Sequence, residues 1–314
     1  MAPAMKAVVQ NRYGGPETLE LEEVERPAPA GDQVLLRVRA AALNPTDHIV
    51  MRGFLRPQTG WRRPAERVRG LDVAGVVEAV GADVTEVAPG DAVFGSCRGS
   101  LAEYAVGAAE RLVPKPERLT FEQAAGIAVA GTMALEALRD HARLRAGQRI
   151  AITGATGGVG SFAVQVAKAR GAHVTAVSRN VELARELGAD RVFDYTREDY
   201  LDGERYDAIF DNGGGRPLRA LRRAVSPDGV VVLNCGQDVS LILAGFAARL
   251  VRRRRDVKQF TRKVTRPDLL ELAALVEEGS VTPLVDRTYP LEETRAAVTY
   301  LMERHPRGKV VVAP

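Results

Sequence analysis

Two stretches of this 314-residue chain carry residue types at spacings that could do chemistry. In Asn44-Pro45-Thr46-Asp47-His48, an amide, a hydroxyl, a carboxylate and an imidazole stand within five residues. The Thr46 hydroxyl could bond the carbonyl oxygen of a substrate, and His48 could supply a proton near neutral pH. The plainer alternatives are that Asp47 caps a turn or helix and that His48 is an exposed loop residue. The second stretch, Gly154-Ala155-Thr156-Gly157-Gly158-Val159-Gly160, has almost no side-chain bulk. Such a loop lets backbone N–H groups close on a pyrophosphate at the positive end of a helix. The strict G-x-G-x-x-G is not met, because Ala155 occupies the first glycine slot; Gly154, one residue earlier, can supply the tight turn.

These residues need particular elements to hold them. Arg149 to Thr153 is a β-branched run that predicts a strand, Ser161 to Arg170 predicts a helix with Phe162, Val166 and Ala169 on one face, and His173 to Val177 predicts a second strand. Strand, glycine turn, helix and strand together make the first half of a dinucleotide fold. An NAD-preferring fold places Asp or Glu roughly 20 residues after the fingerprint, on the ribose hydroxyls. Here the second strand ends in Ser178-Arg179-Asn180. An arginine suits a 2′-phosphate that an acid would repel, so NADPH is expected over NADH. The alternative is that Arg179 is a solvated turn residue.

Before the glycine loop, Met5 to Gln10, Gln33 to Ala42, Val73 to Val80, Asp91 to Gly95 and Leu101 to Val113 are short strand-like runs. Glycine and proline punctuate them, which predicts a compact β-barrel-like domain. Phe121 to His141 reads as helical with an interruption at Gly131. Beyond the loop, Val181 to Leu187 reads as helix, and Arg191 to Tyr195, Tyr206 to Asp211 and Val230 to Asn234 as strands. The alternation predicts a parallel, doubly wound sheet. Leu269 to Glu278, Val281 to Tyr289, Leu291 to Arg304 and Lys309 to Val312 read as helix, strand, helix, strand.

The composition, 46% hydrophobic and 27% charged, is that of a soluble globular protein. No apolar run approaches the roughly 20 residues a membrane span needs. Met1 to Lys6 leads at once into a strand-like segment without a signal-peptide core, so a cytoplasmic location is expected. Two distant cysteines, Cys97 and Cys235, and four scattered histidines show no metal-ligand spacing, and no metal is expected. The net charge of +4 is concentrated in Arg249 to Arg266 and no nucleic-acid module accompanies it, so no nucleic-acid partner is expected. Leu241 to Arg266 interleaves apolar and basic residues. It reads as a solvated helix packed on its own domain, with pocket cover and contact with an anionic membrane as alternatives. Arg52 to Arg69, with Phe54 and Trp61, is either a basic surface loop or a substrate mouth in which Trp61 stacks on a flat ring.

Over essentially its whole length the chain resembles the zinc-independent quinone oxidoreductase-like branch of the medium-chain dehydrogenase/reductase superfamily. The stretches that carry the resemblance are M-K-A-V-V-Q, Y-G-G-P-E, A-A-L-N-P-T-D, G-L-D-V-A-G-V-V-E-A-V-G, P-G-D-A-V-F-G, G-A-T-G-G-V-G, L-G-A-D-R-V-F-D-Y and R-G-K-V-V-V. The resemblance implies an α/β architecture: a GroES-like β-barrel catalytic domain, residues 1–122 and 266–314, and an inserted Rossmann doubly wound parallel-sheet domain, residues 123–265. It implies an active site in the cleft between the domains, with Asn44 on the nicotinamide ribose. Thr132, Tyr195, Asn212, Gly213, Cys235, Gly236 and Lys309 are implied as cofactor neighbours beside the glycine loop and Ser178-Arg179-Asn180. Zinc-dependent relatives place a cysteine and a histidine where this chain has Asn44 and Leu71, and an amide with an aliphatic chain cannot replace them. A tyrosine found shortly after the asparagine in some relatives is Ile49 here, which leaves water as an alternative proton source.

The implied activity is hydride transfer from NADPH to a quinone or α,β-unsaturated carbonyl without metal, in a homodimer. Two other readings stand beside it: a tailoring reductase for one specialised metabolite, acting on a carbonyl or an alkene, and a non-catalytic NADPH-binding regulatory protein.

Overall fold

The computed structural model describes residues 3–54, 56–234, 256–261 and 263–314. The chain divides into two compact units, the first comprising Met1–Ala130, Val264–Glu277 and Pro283–Pro314, the second Gly131–Lys263 and Glu278–Thr282.

The first unit begins with β1 (Ala4–Gln10) antiparallel to β2 (Leu19–Glu25). Its centre is β3 (Gln33–Ala42), ten residues long, whose apolar side chains are buried along most of its length. Helix α1 (Pro45–Met51) follows directly, and α2 (Arg56–Thr59) is a single turn. Then come β4 (Asp72–Val80), β5 (Ala92–Ser96), β6 (Tyr104–Ala108) and β7 (Leu112–Pro114). β3 pairs antiparallel with both β4 and β6, and β4 continues through β5 to β7. Helix α3 (Phe121–Ala125) packs on β3, β4 and β5, which draws the boundary of this unit past residue 122 to Ala130.

The interruption predicted at Gly131 falls earlier, at Gly126 and Ile127. Thr120 caps α3 by accepting the Gln123 N–H at 3.3 Å, Gly126 closes it, and α4 (Ala128–Glu136) then carries Gly131 in its buried interior. The segment Ala137–His141 continues as a π-helical turn.

The second unit is built on β8 (Arg149–Thr153), α5 (Gly158–Ala169), β9 (His173–Val177), α6 (Val181–Glu186), β10 (Arg191–Phe193), β11 (Tyr206–Asp211), α7 (Leu218–Ala224), β12 (Val225–Leu233) and β13 (Val257–Gln259). All six strands are parallel, in the order β10-β9-β8-β11-β12-β13. This is the dinucleotide-fold order, which reverses between β8 and β11. β8 and β11 are apolar through their centres, Ile150 to Ile152 and Ala208 to Phe210, because both faces of a central parallel strand are covered. β13 lies within the stretch predicted as a basic helix: Val257–Gln259 instead pair with Val231–Leu233 and supply the sheet with a sixth strand. The rest of that prediction from Leu241 to Arg255, together with Cys235 and Gly236, lies outside the described residues.

The chain closes with α8 (Arg266–Glu277), β14 (Val285–Pro290), α9 (Thr294–Glu303) and β15 (Lys309–Ala313). β15 pairs with β14 and, through Val311 and Val312, with Ala42 and Ala41 of β3, so the tail completes the first unit's sheet. Residues 278–282 belong to the second unit. There the Gln165 amide donates to the Thr282 carbonyl at 3.1 Å and accepts the Thr282 N–H at 2.8 Å.

Candidate active site

In the first unit the side chain that stands where a zinc-binding thiolate would be sought is Asn44, at the start of α1. Pro45 fixes the entry into the helix, since its missing N–H is one the first turn leaves unbonded in any case. The Asp47 carboxylate accepts the Asn44 N–H at 2.8 Å, as predicted for a capping residue. The Asn44 side chain also bonds two partners outside the helix. Its Oδ1 accepts from Lys309 Nζ at 2.7 Å, and its Nδ2 donates to Asp72 Oδ2 at 3.1 Å. Lys309 Nζ also reaches Asp72 Oδ2 at 3.2 Å, and Asp72 Oδ1 accepts the Val129 N–H at 2.9 Å. All three side chains are buried, Asp72 completely.

An ammonium held 2.7 Å from Asn44 Oδ1, with an aliphatic Leu71 beside Asp72, is a poor donor set for zinc, which takes thiolate, imidazole or carboxylate ligands. Among the described residues no cluster of three histidine, cysteine or acidic side chains could hold a metal ion. Cys97 is buried, and burial together with Asp72 pushes its thiol up to about 12.

Thr46 and His48 sit two positions apart on α1, and residues so spaced do not share a helix face. Thr46 is exposed. His48 lines a small cavity with Asn44, Asp47, Arg69, Met51 and Leu101, and a wider one of about 300 Å³ with Glu17, Arg295, Thr299, Met302 and Glu303. Its buried Nδ1 has no partner among the described residues. Burial holds the imidazole below its usual value; Arg52 adds to this and Glu17 opposes it. The Asp47 carboxyl goes the other way: burial pushes it up to about 6 despite the bond from Asn44, Asp72 adding to the rise while Arg69 and Lys309 oppose it.

In the second unit Gly154 has φ of +62°, and its neighbours show why side chains are missing. A Cβ on Gly160 would lie 2.0 Å from the Gly154 carbonyl oxygen, and one on Gly213 would lie 2.9 Å from the Gly154 nitrogen. Helix α5 starts three residues sooner than predicted, at Gly158, so the N–H groups of Gly158, Val159 and Gly160 are those a first turn leaves without helical acceptors. The loop fits a pyrophosphate.

Thr153, at the end of β8, fixes the opposite wall. Its hydroxyl donates to Asp211 Oδ1 at 2.7 Å and accepts the N–H groups of Asn212 and Gly213 at 2.9 and 2.8 Å. Asn234 Nδ2 donates to Asn212 Oδ1 at 2.7 Å. Burial raises the Asp211 carboxyl, with Thr153 and the Gly214 N–H opposing. Thr132 is buried inside α4.

At the end of β9 the Ser178 hydroxyl meets Thr156 Oγ1 at 2.7 Å and accepts the Asn180 N–H at 3.0 Å, while Asn180 Oδ1 caps α6 by accepting the Leu183 N–H at 3.4 Å. Arg179 is exposed, its guanidinium 6.0 Å from the centre of the half-exposed Tyr195 ring. Ser178 and Arg179 follow β9 directly, and the Asp194 carboxylate beside Tyr195 is held low by Thr196 first and by Arg179 in smaller part.

The model for the alcohol dehydrogenase GroES-like domain matches residues 30–117, and that for zinc-binding dehydrogenases matches residues 187–312. The chain is 32% identical to the chloroplast envelope quinone oxidoreductase homolog of Arabidopsis thaliana, over 99% of this chain and 98% of that protein. The chain belongs to the quinone oxidoreductase-like branch of the medium-chain dehydrogenase/reductase superfamily. The chain is also 34% identical to the chloroplastic NADPH-dependent alkenal/one oxidoreductase of the same plant, over 99% of this chain and 80% of that protein. The solved quinone oxidoreductase of Coxiella burnetii superposes with a TM-score of 0.89 at 29% identity, covering 99% of this chain and all of its own. A GroES-like domain and a Rossmann-like parallel sheet are the fold of the branch.

Asp72 and Thr153 were not singled out in the sequence. The available signal was a charge or hydroxyl in an otherwise apolar strand, Asp72 opening D-V-A-G-V-V and Lys309 opening K-V-V-V. Buried charges must be paired. In the Arg52 to Arg69 stretch, Trp61 is 73% and Phe54 57% exposed.

Proposed function

We propose that this protein is an NADPH-dependent oxidoreductase that delivers hydride to a quinone or an α,β-unsaturated carbonyl without a metal. The observation that carries the reading is the Asn44 amide, held by Lys309 and Asp72 in the slot where zinc-dependent relatives have a thiolate. The names of the relatives, quinone oxidoreductase and alkenal/one oxidoreductase, support the two acceptor classes.

When bound, the nicotinamide supplies the hydride from its C4; the protein's part is orientation and exclusion of water. In this reading the N–H groups of Gly158, Val159 and Gly160 bind the pyrophosphate, and Ser178, Arg179 and Tyr195 receive the 2′-phosphate. Thr132, Asn212 and Gly213 border the nicotinamide, and Asn44 meets its ribose. As hydride reaches the β-carbon of an enone, charge develops on the carbonyl oxygen and needs a hydrogen-bond donor. The Thr46 hydroxyl is the donor assigned to that oxygen, and water supplies the proton that completes the reduction. His48, whose imidazole burial holds below its usual value, is the second candidate donor, and α1 cannot present both side chains to one oxygen.

The small-molecule acceptor is the only partner required, and a cytoplasmic homodimer is the assembly proposed. Among the described residues no helix is long and apolar enough to cross a membrane. The test is NADPH consumption over a panel of quinones, enones and aldehydes with product identification. Turnover of quinones or enones is expected; tight NADPH binding with no turnover would instead indicate a regulatory protein.

A further inference from the structure

We infer that Asp72 is a positioning residue: together with Lys309 it fixes which way round the Asn44 amide lies and leaves a single amide donor free. The inference rests on the reading of Asn44 as a cofactor neighbour. A primary amide has two N–H donors and one acceptor oxygen, and its two orientations differ only in which end is which. Here the neighbours are charged with opposite signs, so they distinguish the ends. Lys309 Nζ, 2.7 Å from Oδ1, can only donate, and Asp72 Oδ2, 3.1 Å from Nδ2, accepts. The flipped amide would set its oxygen against a carboxylate and its N–H groups against an ammonium. Both contacts would be repulsive.

Asp72 is itself immobilised. Its Oδ1 takes the Val129 N–H at 2.9 Å and its Oδ2 takes Lys309 as well as Asn44, which ties the start of β4, the first turn of α4 and the start of β15 to one carboxylate. Gly126 makes room for the lysine stem, since a Cβ there would stand 3.2 Å from Lys309 Cγ. With Oδ1 and one Nδ2–H committed, Asn44 retains one N–H, which has no partner among the described residues. A donor fixed in advance costs no reorientation when a hydroxyl or carbonyl oxygen of the bound pair meets it. The sequence separations are 28 residues to Asp72 and 265 to Lys309, so the orientation is set by the closed fold and not by α1 alone.

Two readouts test this. The chain has five asparagines, so the Asn44 side-chain amide can be followed by NMR in asparagine-labelled protein, assigned by its loss in Asn44→Ala. In the wild type its two protons are expected to be inequivalent and protected. In Asp72→Asn they are expected to exchange with solvent about tenfold or more faster, since local opening no longer breaks a charge-assisted bond. Unchanged exchange would overturn the inference. This readout needs no cofactor, so it survives failure of the NADPH assignment. The second readout is NADPH affinity in a double-mutant cycle. Asp72→Asn and Asn44→Ala should each weaken binding about tenfold, and the double variant should bind no worse than Asn44→Ala alone. Multiplication of the two losses would show that Asp72 acts independently of Asn44 and would overturn the inference. Should Asp72→Asn fail to fold because Lys309 is left uncompensated, the paired Asp72→Asn/Lys309→Met variant removes both charges together, and the same outcomes apply.

Discussion

Replacing Asp47 by asparagine should stabilise the protein above neutral pH and do little in acid. The Asp47 carboxyl accepts the Asn44 N–H at 2.8 Å, but burial still lifts its folded-state value to about 6, from 3.8 for an unperturbed aspartate. Between those values the folded chain holds a proton that the unfolded chain has released, so stability falls as pH rises through the window and then levels off. At 1.36 kcal/mol for each unit, the loss reaches about 3 kcal/mol above pH 7. The amide of the substituted side chain would keep an oxygen for the Asn44 N–H and has no charge to desolvate. Asp47→Asn should therefore gain about 2–3 kcal/mol at pH 8 and nearly nothing at pH 4, which for a protein of this size corresponds to a rise in Tm of roughly 3–5 °C. Thermal and urea unfolding of both proteins from pH 4 to pH 8 measures the difference. A gain independent of pH, or a loss at pH 8, would show that the carboxylate is stabilised where it lies and would refute the argument.

Other outcomes follow from the second unit. Arg179→Glu should raise the KM for NADPH by about 10- to 100-fold, the worth of a charge-assisted contact, and leave that for NADH nearly unchanged; steady-state kinetics with both cofactors reads this directly. Gly160→Ala places a methyl 2.0 Å from the Gly154 carbonyl oxygen, where only backbone could give way, and calorimetry should find NADPH binding weakened at least about tenfold. Thr153→Val removes the donor to the buried Asp211 and the acceptor for two N–H groups, so denaturant unfolding should show a loss of about 2–3 kcal/mol together with weaker NADPH binding.

Much of this molecule is legible along the chain because the informative contacts are local. The β8 run, the glycine turn and α5 are consecutive, and the turn's need for bare backbone is written in Gly154 to Gly160. Central strands of a parallel sheet are covered on both faces, so the apolar centres of β8 and β11, Ile150 to Ile152 and Ala208 to Phe210, stand out by composition. β2 does not stand out, because L-E-L-E-E-V-E carries four glutamates and finds its place only by pairing with β1. β13 is hidden in a basic stretch for the same reason: its strand character comes from the edge of β12. At the candidate site Asn44 is conspicuous beside Pro45 and Thr46, but what holds it is not. Its two partners sit 28 and 265 residues away, and neither distance leaves a periodic trace. The π-helical turn at Ala137–His141 has no signal in the sequence that we can name.

The central claim, metal-free hydride delivery from NADPH to a conjugated acceptor, is tested most directly with NADPH deuterated at nicotinamide C4 and an enone, in the presence of a strong chelator. Deuterium on the β-carbon of the saturated product, at a rate the chelator does not change, is the predicted result. A rate abolished by the chelator and restored by zinc, or deuterium on the carbonyl carbon of an allylic alcohol, would contradict it.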